Sequence, residues 1–231
     1  MVVAMRSPGD AALLDIWEQG QARGPVARTK LLLGAALPEL DDAERAALAV
    51  SAADIALLRL RGAIFGGRLP AETTCPACAE VLEFELDAAA LIHGIAKREP
   101  DAPGGECDFR EPAIGDLEAI AGIADPDAAM HRLASLCRRA PDASPNGAEI
   151  ERIDALYGQT AIRLRLDCAA CGNTWHEVFD VAAYLWQEVA RRAGALLDEI
   201  HILAAAYGWS EAQILALSET RRTAYLQRCG A

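Results

Sequence analysis

Two pairs of cysteines in this sequence have the spacing of metal ligands. Cys75 and Cys78 form one C-x-x-C pair, and Cys168 and Cys171 form a second pair after a gap of 89 residues. A two-residue gap lets both thiolates of a pair reach the same tetrahedral Zn²⁺, and four cysteines fill its coordination shell. We therefore predict one structural zinc ion per chain, bound by all four cysteines, with no position open for catalysis.

The residue after each pair supports a turn that points backbone N–H groups at sulfur. Gly172 follows the second pair, where a positive φ is easily adopted. Ala79 holds the matching place in the first pair and suits it less well. Unliganded thiols and a redox pair remain alternatives to zinc. A redox pair is disfavoured because neither C-x-x-C opens a helix of a thioredoxin-like βαβ unit.

No other residues have the arrangement of a catalytic site. The sequence has no G-x-G-x-x-G, P-loop, G-x-S-x-G or H-E-x-x-H motif. His176 lies near the second pair, but four cysteines already close the shell. The remaining histidines and cysteines are isolated, and we interpret them as surface or buried structural residues: His93, His131, His201, Cys107, Cys137 and Cys229. We therefore expect a protein that is not an enzyme.

Composition limits the partners of the 231-residue chain. Its formal net charge of −12 argues against binding nucleic acid, because phosphate contacts require clustered cations. The N-terminus lacks the pattern of a signal peptide, and no uncharged apolar run approaches the ~18 residues of a membrane span. These features predict a cytoplasmic protein with reduced cysteines and no membrane partner.

The cysteine pairs are positioned by two short segments with the period of a strand. Residues Leu82, Phe84 and Leu86 alternate with glutamates after the first pair, and "AIRLRLD" alternates before the second. Most of the remaining sequence has helical patterns. The predicted fold is therefore α+β and mainly α-helical, with a small split zinc-ribbon-like β module and helical N-terminal, inserted and C-terminal segments.

This pattern divides the chain into five segments. They are an N-terminal helical segment (1–70), the first zinc knuckle with its β segment (71–112), an inserted helical segment (113–158), the second knuckle with its β segment (159–180), and a long C-terminal helix with a tail (181–231). Predicted N-caps are Asp10, Ser51, Asp125, Ser210 and Ser218. Glu188 and Arg192, four residues apart in the long helix, are expected to pair.

The tail concentrates residues that favour protein interfaces. Tyr207, Trp209 and Tyr225 lie near Arg221 and Arg222 in the sequence. Aromatic and arginine side chains are enriched at interface hot spots, although a corner packed on the core explains Tyr207 and Trp209 equally well. We predict a partner surface here, formed by Trp209, Glu211, Arg221, Arg222 and Tyr225.

Five segments together resemble a known family. They are "LLDIWEQG", "LLRLRGAIFGGRL", "CPACAEVLEFELD", "LDCAACGNTWHEVFDVAAYLWQEV" and "EIHILAAAYGWSEAQILALSETRRTAYL". They resemble baseplate hub assembly chaperones, or baseplate proteins, of T-even-type contractile phage tails and phage-tail-like contractile injection particles. The resemblance implies paired cysteines at positions 75, 78, 168 and 171, and a tail motif that includes Trp209, Glu211, Arg221, Arg222 and Tyr225.

The resemblance implies an assembly factor as the first hypothesis. Its partners would be the baseplate hub, spike or tube proteins of a contractile particle, and it would act in the cytoplasm without catalysis. A second hypothesis is a permanent structural component of the baseplate, incorporated in the finished particle. A third, from a different class, is a zinc-ribbon protein that binds nucleic acid, which the net charge opposes.

Overall fold

The computed structural model describes residues 7–97, 109–139 and 147–230. Within these ranges the chain forms helices separated by two β-hairpins. In chain order the elements are α1 (Asp10–Gly20), α2 (Pro25–Ala36), α3 (Asp42–Ala46), α4 (Val50–Phe65), β1 (Arg68–Thr74), β2 (Val81–Asp87), α5 (Ala88–Ala96), α6 (Ile114–Ile120), α7 (Pro126–Cys137), α8 (Gly147–Thr160), β3 (Ile162–Asp167), β4 (Thr174–Phe179), α9 (Val181–Tyr207), α10 (Glu211–Leu215) and α11 (Glu219–Arg228).

The four strands form two separate antiparallel hairpins. Strand β1 pairs with β2, and β3 pairs with β4; the described strands form no third pairing. Each hairpin has a C-x-x-C knuckle at its tip, and its base is buried in the core. Helices make up most of the described chain, so the predicted α+β, mainly α-helical fold with a small split ribbon-like module is confirmed.

The two hairpins belong to a structural repeat with an offset of 93 residues. Each unit consists of a helix, a strand, a knuckle, a second strand and a helix: α4–β1–β2–α5 and α8–β3–β4–α9. Leu69 and Ile162 are buried at matching places where each hairpin starts. Asp87 and Asp180 both cap the following helix, accepting from the backbone N–H groups of Ala90 and Ala183 at 2.8 and 2.9 Å.

The long helix α9 organises the main core. Its buried residues Leu185 and Val189 pack with α2, α4 and the bases of both hairpins, and Ala193 and Leu196 pack against α1. Trp186 lies where α1 ends, over Gly20, and a methyl group added at Gly20 would overlap the indole ring. Glycine is therefore required at this contact. The 27 residues of α9 span about 40 Å, which extends the helix from the hairpins to the tail.

A buried ion pair joins α4 to α9. The guanidinium of Arg61 donates to both carboxylate oxygens of Glu188 at 2.8 and 2.9 Å, and the two side chains are only 3% and 8% exposed. Arg61 also donates to the carbonyl oxygens of Gly66 and Arg68, where the chain turns into β1. The expected pairing of Glu188 with Arg192 is therefore wrong. Glu188 pairs with Arg61 on a different helix rather than with Arg192, which lies one turn further along its own helix.

Three of the five predicted N-caps are confirmed. Asp125 caps α7, and Ser210 and Ser218 cap α10 and α11. Asp10 is instead the first residue of α1, with Gly9 as the N-cap. Ser51 lies inside α4 and binds the carboxylate of Glu111 through its hydroxyl and backbone N–H. Both side chains are used in tertiary contacts, which single-sequence capping rules do not anticipate.

The inserted helices have a small core of their own. Leu133, Ala134 and Cys137 of α7 pack with Ile153 of α8 and with Phe109. Burial, opposed in part by Arg110 and reinforced by Asp116, raises the pKa of the Cys137 thiol to about 11. Cys137 is therefore an inert core thiol, as expected. Cys107 lies outside the described residues.

Candidate metal centre and partner surface

The tips of the two hairpins bring all four predicted cysteines together. One sulfur atom from each of Cys75, Cys78, Cys168 and Cys171 lies within 4.8 Å of the others. The Sγ atoms of Cys75 and Cys171 are 3.7 Å apart, and so are those of Cys78 and Cys168. A disulfide requires about 2.0 Å, so the four residues are free thiols arranged as a compact cluster that could bind a metal ion.

The contacts of the cluster follow the repeat. Exchanging the two units converts the contact between Cys75 and Cys171 into the contact between Cys168 and Cys78, and both distances are the same. The first cysteine of each pair is buried and the second is exposed. The cluster is therefore approximately two-fold symmetric, with each unit supplying two of the four cysteines.

The backbone of each knuckle has the same hydrogen bonds. The N–H of Cys75 donates to the carbonyl of Glu80, and the N–H of Ala79 donates to the carbonyl of Cys75. Cys168 and Gly172 make the equivalent bonds with the same lengths, 2.8 and 2.9 Å. These bonds close each knuckle at the hairpin tip and hold its two sulfurs on the same side.

Hydrogen bonds lower the pKa of one thiol in the cluster. Burial raises the pKa of the Cys75 thiol, but hydrogen bonds from the backbone of Ala77 and Cys78 and from the side chains of Cys78 and Cys168 together outweigh burial and bring the pKa to about 6. A backbone bond from Glu80 lowers the pKa of Cys78, but Cys171, burial and Cys168 favour its protonated form and raise the pKa to about 12. The lowered pKa favours the thiolate form of Cys75, which is the form in which cysteine binds a cation.

The two knuckles differ in backbone strain, which gives a matched pair of substitutions. Gly172 has φ 74° as predicted, and its counterpart Ala79 has φ 60°, which disfavours a side chain. We expect Ala79→Gly to raise the free energy of unfolding by about 1 kcal/mol and Gly172→Ala to lower it by about the same amount. Urea unfolding of the metal-saturated variants measures both changes. Equal effects of the same sign would contradict this assignment of strain.

The tail forms an aromatic cluster at the far end of α9. The rings of Tyr207 and Trp209 stack with their centroids 4.6 Å apart, and Tyr225 meets both edge-on at 5.5 and 4.9 Å. Trp209 and Tyr225 are half-buried, whereas Tyr207 remains 38% exposed. Glu211 and Arg221 are exposed beside this cluster. Four of the five residues predicted for the partner surface therefore have some solvent access.

Arg222 does not belong to that surface, which corrects the sequence interpretation. Only 1% of the residue is exposed. Its guanidinium donates to Glu199 of α9 at 2.8 Å and to Asp10 of α1, and both carboxylates also contact Arg192. Burial lowers the pKa of Arg222, but the hydrogen bonds and charges of Asp10 and Glu199 together outweigh burial and raise it. Arg222 anchors the tail to the first and the longest helix.

Adjacent arginines in α11 should therefore differ in their effect on stability. We expect Arg222→Gln to lower the free energy of unfolding by about 2–3 kcal/mol, because two carboxylates lose a charged hydrogen-bond donor. Arg221→Gln, the exposed neighbour, should change it by less than about 0.5 kcal/mol. Urea unfolding followed by circular dichroism provides the comparison. Equal losses in the two variants would show that the network does not hold the tail.

Comparison with protein-family models, curated proteins and solved structures finds no match for this chain. In the described ranges, none of the helices is long and apolar enough to cross a membrane. The fold and the cysteine cluster define the chain as a mainly helical protein whose two hairpins meet at a cluster of four cysteines with the spacing to hold a metal ion.

Sequence reasoning did not find the contacts that connect the hairpins to the helices. The apolar stretch "ALLRLRGAIF" contains two arginines, Arg59 and Arg61, and the sequence does not show that only Arg61 is buried. The hydroxyl of Tyr184 donates to the carbonyl of Pro70 in β1 at 2.7 Å, and no local pattern indicates that bond. Between the hairpins, Thr73 donates to the carboxylate of Glu177 at 2.7 Å. These contacts depend on tertiary structure rather than on sequence period.

Proposed function

We propose that the four-cysteine cluster binds a single structural Zn²⁺ ion. A regular tetrahedron of sulfurs about 2.3 Å from a central ion has edges of about 3.8 Å. The two sulfur contacts between the hairpins are 3.7 Å long, so the cluster needs little rearrangement to take the ion. Four thiolates leave no coordination position for substrate or water, which makes the role of the ion structural.

Elemental analysis of protein purified without chelator tests this proposal. We expect one equivalent of zinc per chain, and iron or no metal after aerobic purification would contradict it. Zinc is favoured because it forms stable tetrahedral thiolate sites without redox chemistry. In this role the ion joins the hairpin tips, while their bases are fixed in the helical core.

We further propose that the protein is a non-enzymatic assembly factor, a chaperone for the baseplate hub, spike or tube of a contractile phage tail or phage-tail-like injection particle. The observation that carries the proposal is the tail. It lies in one of the segments that resemble this family, and Arg222 holds it rigidly while Glu211, Arg221 and Tyr207 face solvent. A rigid surface with aromatic and charged side chains loses little conformational entropy when it binds a partner.

Co-purification from the native operon tests the assembly role. We expect the tagged protein to retain a hub, spike or tube protein, and the charge-reversed variant Glu211→Arg/Arg221→Glu to lose it. The variant Glu18→Arg/Arg23→Glu is a matched control, because it exchanges two exposed charges on and beside α1. Retention of no baseplate, spike or tube protein by the unaltered chain would rule out the proposal.

Mass spectrometry of finished particles separates this role from that of a structural component. An assembly factor is absent from purified particles although it binds their components during assembly. A component remains at a fixed ratio to the sheath and tube proteins. Detection at such a ratio would replace the chaperone proposal with the structural one.

A further inference from the structure

A large open groove lies between the two hairpins and the start of α9. It has a volume of about 910 Å³, with β1 and β4 on its two sides. Apolar and aromatic side chains line part of it: Phe84, Leu164, Phe179, Ala183 and Tyr184. The hydrogen bond between Thr73 and Glu177 crosses between the hairpins beside it. This volume is in the range of sites that bind a ligand or a short segment of a partner.

Acidic side chains dominate the charge of the groove. Glu72, Glu83, Glu85, Glu177 and Asp180 line it, and Arg191 is the only basic residue among its described lining residues. Three of the carboxylates have partners within the chain: Glu85 pairs with Arg68, Glu177 accepts from Thr73, and Asp180 caps α9. Glu72 and Glu83 form no ion pair within the described residues, and Glu177 and Asp180 accept only neutral donors, so four of the five carboxylates keep their negative charge.

Glu72 and Glu83 are directly opposite each other in the β1–β2 ladder. The register places them as cross-strand partners, and both side chains are exposed. Side chains opposed in this way have Cβ atoms about 4.5–5.5 Å apart, and like charges there destabilise a sheet. A cation from another molecule placed between the two carboxylates would remove the repulsion and form two charge-assisted hydrogen bonds.

The walls of the groove also have unpaired strand edges. Within the described residues, β1 pairs only with β2 and β4 only with β3, so each has one open edge. On the β1 edge, the carbonyl of Pro70 already accepts a hydrogen bond from Tyr184, and Pro70 has no N–H, so the backbone groups left for another strand begin after Pro70. Open edges offer backbone donors and acceptors to an added strand. At about 3.3 Å per residue, a three-residue strand along residues 71–73 is about 10 Å long.

We propose that this groove binds an extended basic segment of a partner protein by strand addition. Arginine or lysine side chains of the segment lie between Glu72 and Glu83, and its alternate apolar side chains contact Phe84 and Phe179. The backbone of the segment pairs with the open edge of β1 or β4. This inference requires only the groove, so it is independent of the tail surface and of the proposed role in tail assembly.

A designed peptide tests the proposal directly. The probe is a fluorescein-labelled octapeptide of alternating arginine and valine, titrated with the full chain and followed by fluorescence anisotropy. We expect saturable binding that weakens as salt is raised, because the charges are near the surface. Glu72→Gln/Glu83→Gln should weaken it about tenfold. Glu18→Gln/Glu39→Gln, which removes two exposed charges elsewhere, should leave the affinity unchanged.

A second peptide separates strand addition from simple charge attraction. N-methylation at alternate amides removes backbone N–H donors but keeps the arginine and valine side chains and the charge. Because an added strand binds through its backbone, the methylated peptide should not bind. The proposal is overturned if the unmodified peptide does not bind at concentrations up to about 1 mM. Equal binding of the methylated peptide, or wild-type affinity in Glu72→Gln/Glu83→Gln, would also overturn it. Circular dichroism and metal content confirm that the variants remain folded.

Discussion

Replacing Cys168 with serine is expected to abolish metal binding and to lower the melting temperature by about 10 °C or more. Serine keeps the size of the side chain but removes the thiolate, so the remaining three sulfurs no longer complete the tetrahedral site. The binding free energy of a structural zinc contributes directly to folding. A loss of several kcal/mol shifts the melting temperature of a chain of this size by about that amount.

The damage should begin at the hairpin tips. The described side chains form one hydrogen bond between the hairpins, from Thr73 to Glu177, in addition to the sulfur contacts. Without the ion, the two tips can separate while Leu69 and Ile162 keep the bases in the core. Hydrogen exchange should therefore increase in all four strands before it increases in α2 or α9.

Symmetry provides an internal check on this result. Cys75→Ser removes the equivalent ligand of the other unit and should produce the same loss of metal and stability. Cys229→Ser, a substitution of a half-exposed thiol outside the cluster, should retain one equivalent of metal. Full metal content in Cys168→Ser, measured by elemental analysis, would show that the four cysteines do not form one site.

The second large effect is expected from Arg61→Met. Methionine fills much of the same volume but leaves Glu188 buried without its partner, and an uncompensated buried charge costs about 3–5 kcal/mol. The carbonyl oxygens of Gly66 and Arg68 also lose a donor at the start of β1. Urea unfolding with saturating metal measures the change, which should appear as a lower midpoint.

Two variants determine whether the buried pair itself is responsible. Arg61→Met/Glu188→Met removes both charges and should recover a large part of the lost free energy, because no carboxylate is then left unpaired. Arg68→Met breaks an exposed pair with Glu85 on the same hairpin and should cost only about 0.2–1 kcal/mol. A loss in Arg61→Met as small as in Arg68→Met would contradict this account.

Strands β2 and β3 and the cysteine cluster could be predicted because they have local sequence signals. Leu82, Phe84 and Leu86 alternate strictly, and C-x-x-C spacing fixes which sulfurs can share an ion. Strand β1, "RLPAETT", was not predicted. It contains a proline and lacks the apolar alternation of a typical half-buried strand, and its place in a sheet is set by pairing with β2. Sequence period alone does not provide that information.

Charged residues show the other limit of sequence reasoning. Arg221 and Arg222 are adjacent and chemically identical, yet only Arg222 reaches two carboxylates from distant parts of the chain. The repeat was also hidden, because few residues match at the 93-residue offset. Cys75, Ala77, Cys78, Asp87, Ala89 and Ala90 are the identities between 67–96 and 160–189. Apart from alanines, only the two cysteines and the aspartate that caps the following helix are identical in both units.

The two-fold arrangement of the sulfurs has a consequence for a shorter chain. A polypeptide with a single helix–hairpin–helix unit would carry two ligands and could complete a four-sulfur site only by pairing with a second copy. When both units belong to one polypeptide, the four-sulfur site forms within a single molecule. The free energy of forming the site then no longer depends on protein concentration. Within one chain, the two units can also differ in sequence. One hairpin has the facing glutamates Glu72 and Glu83, whereas the matching positions of the other are Arg165 and His176.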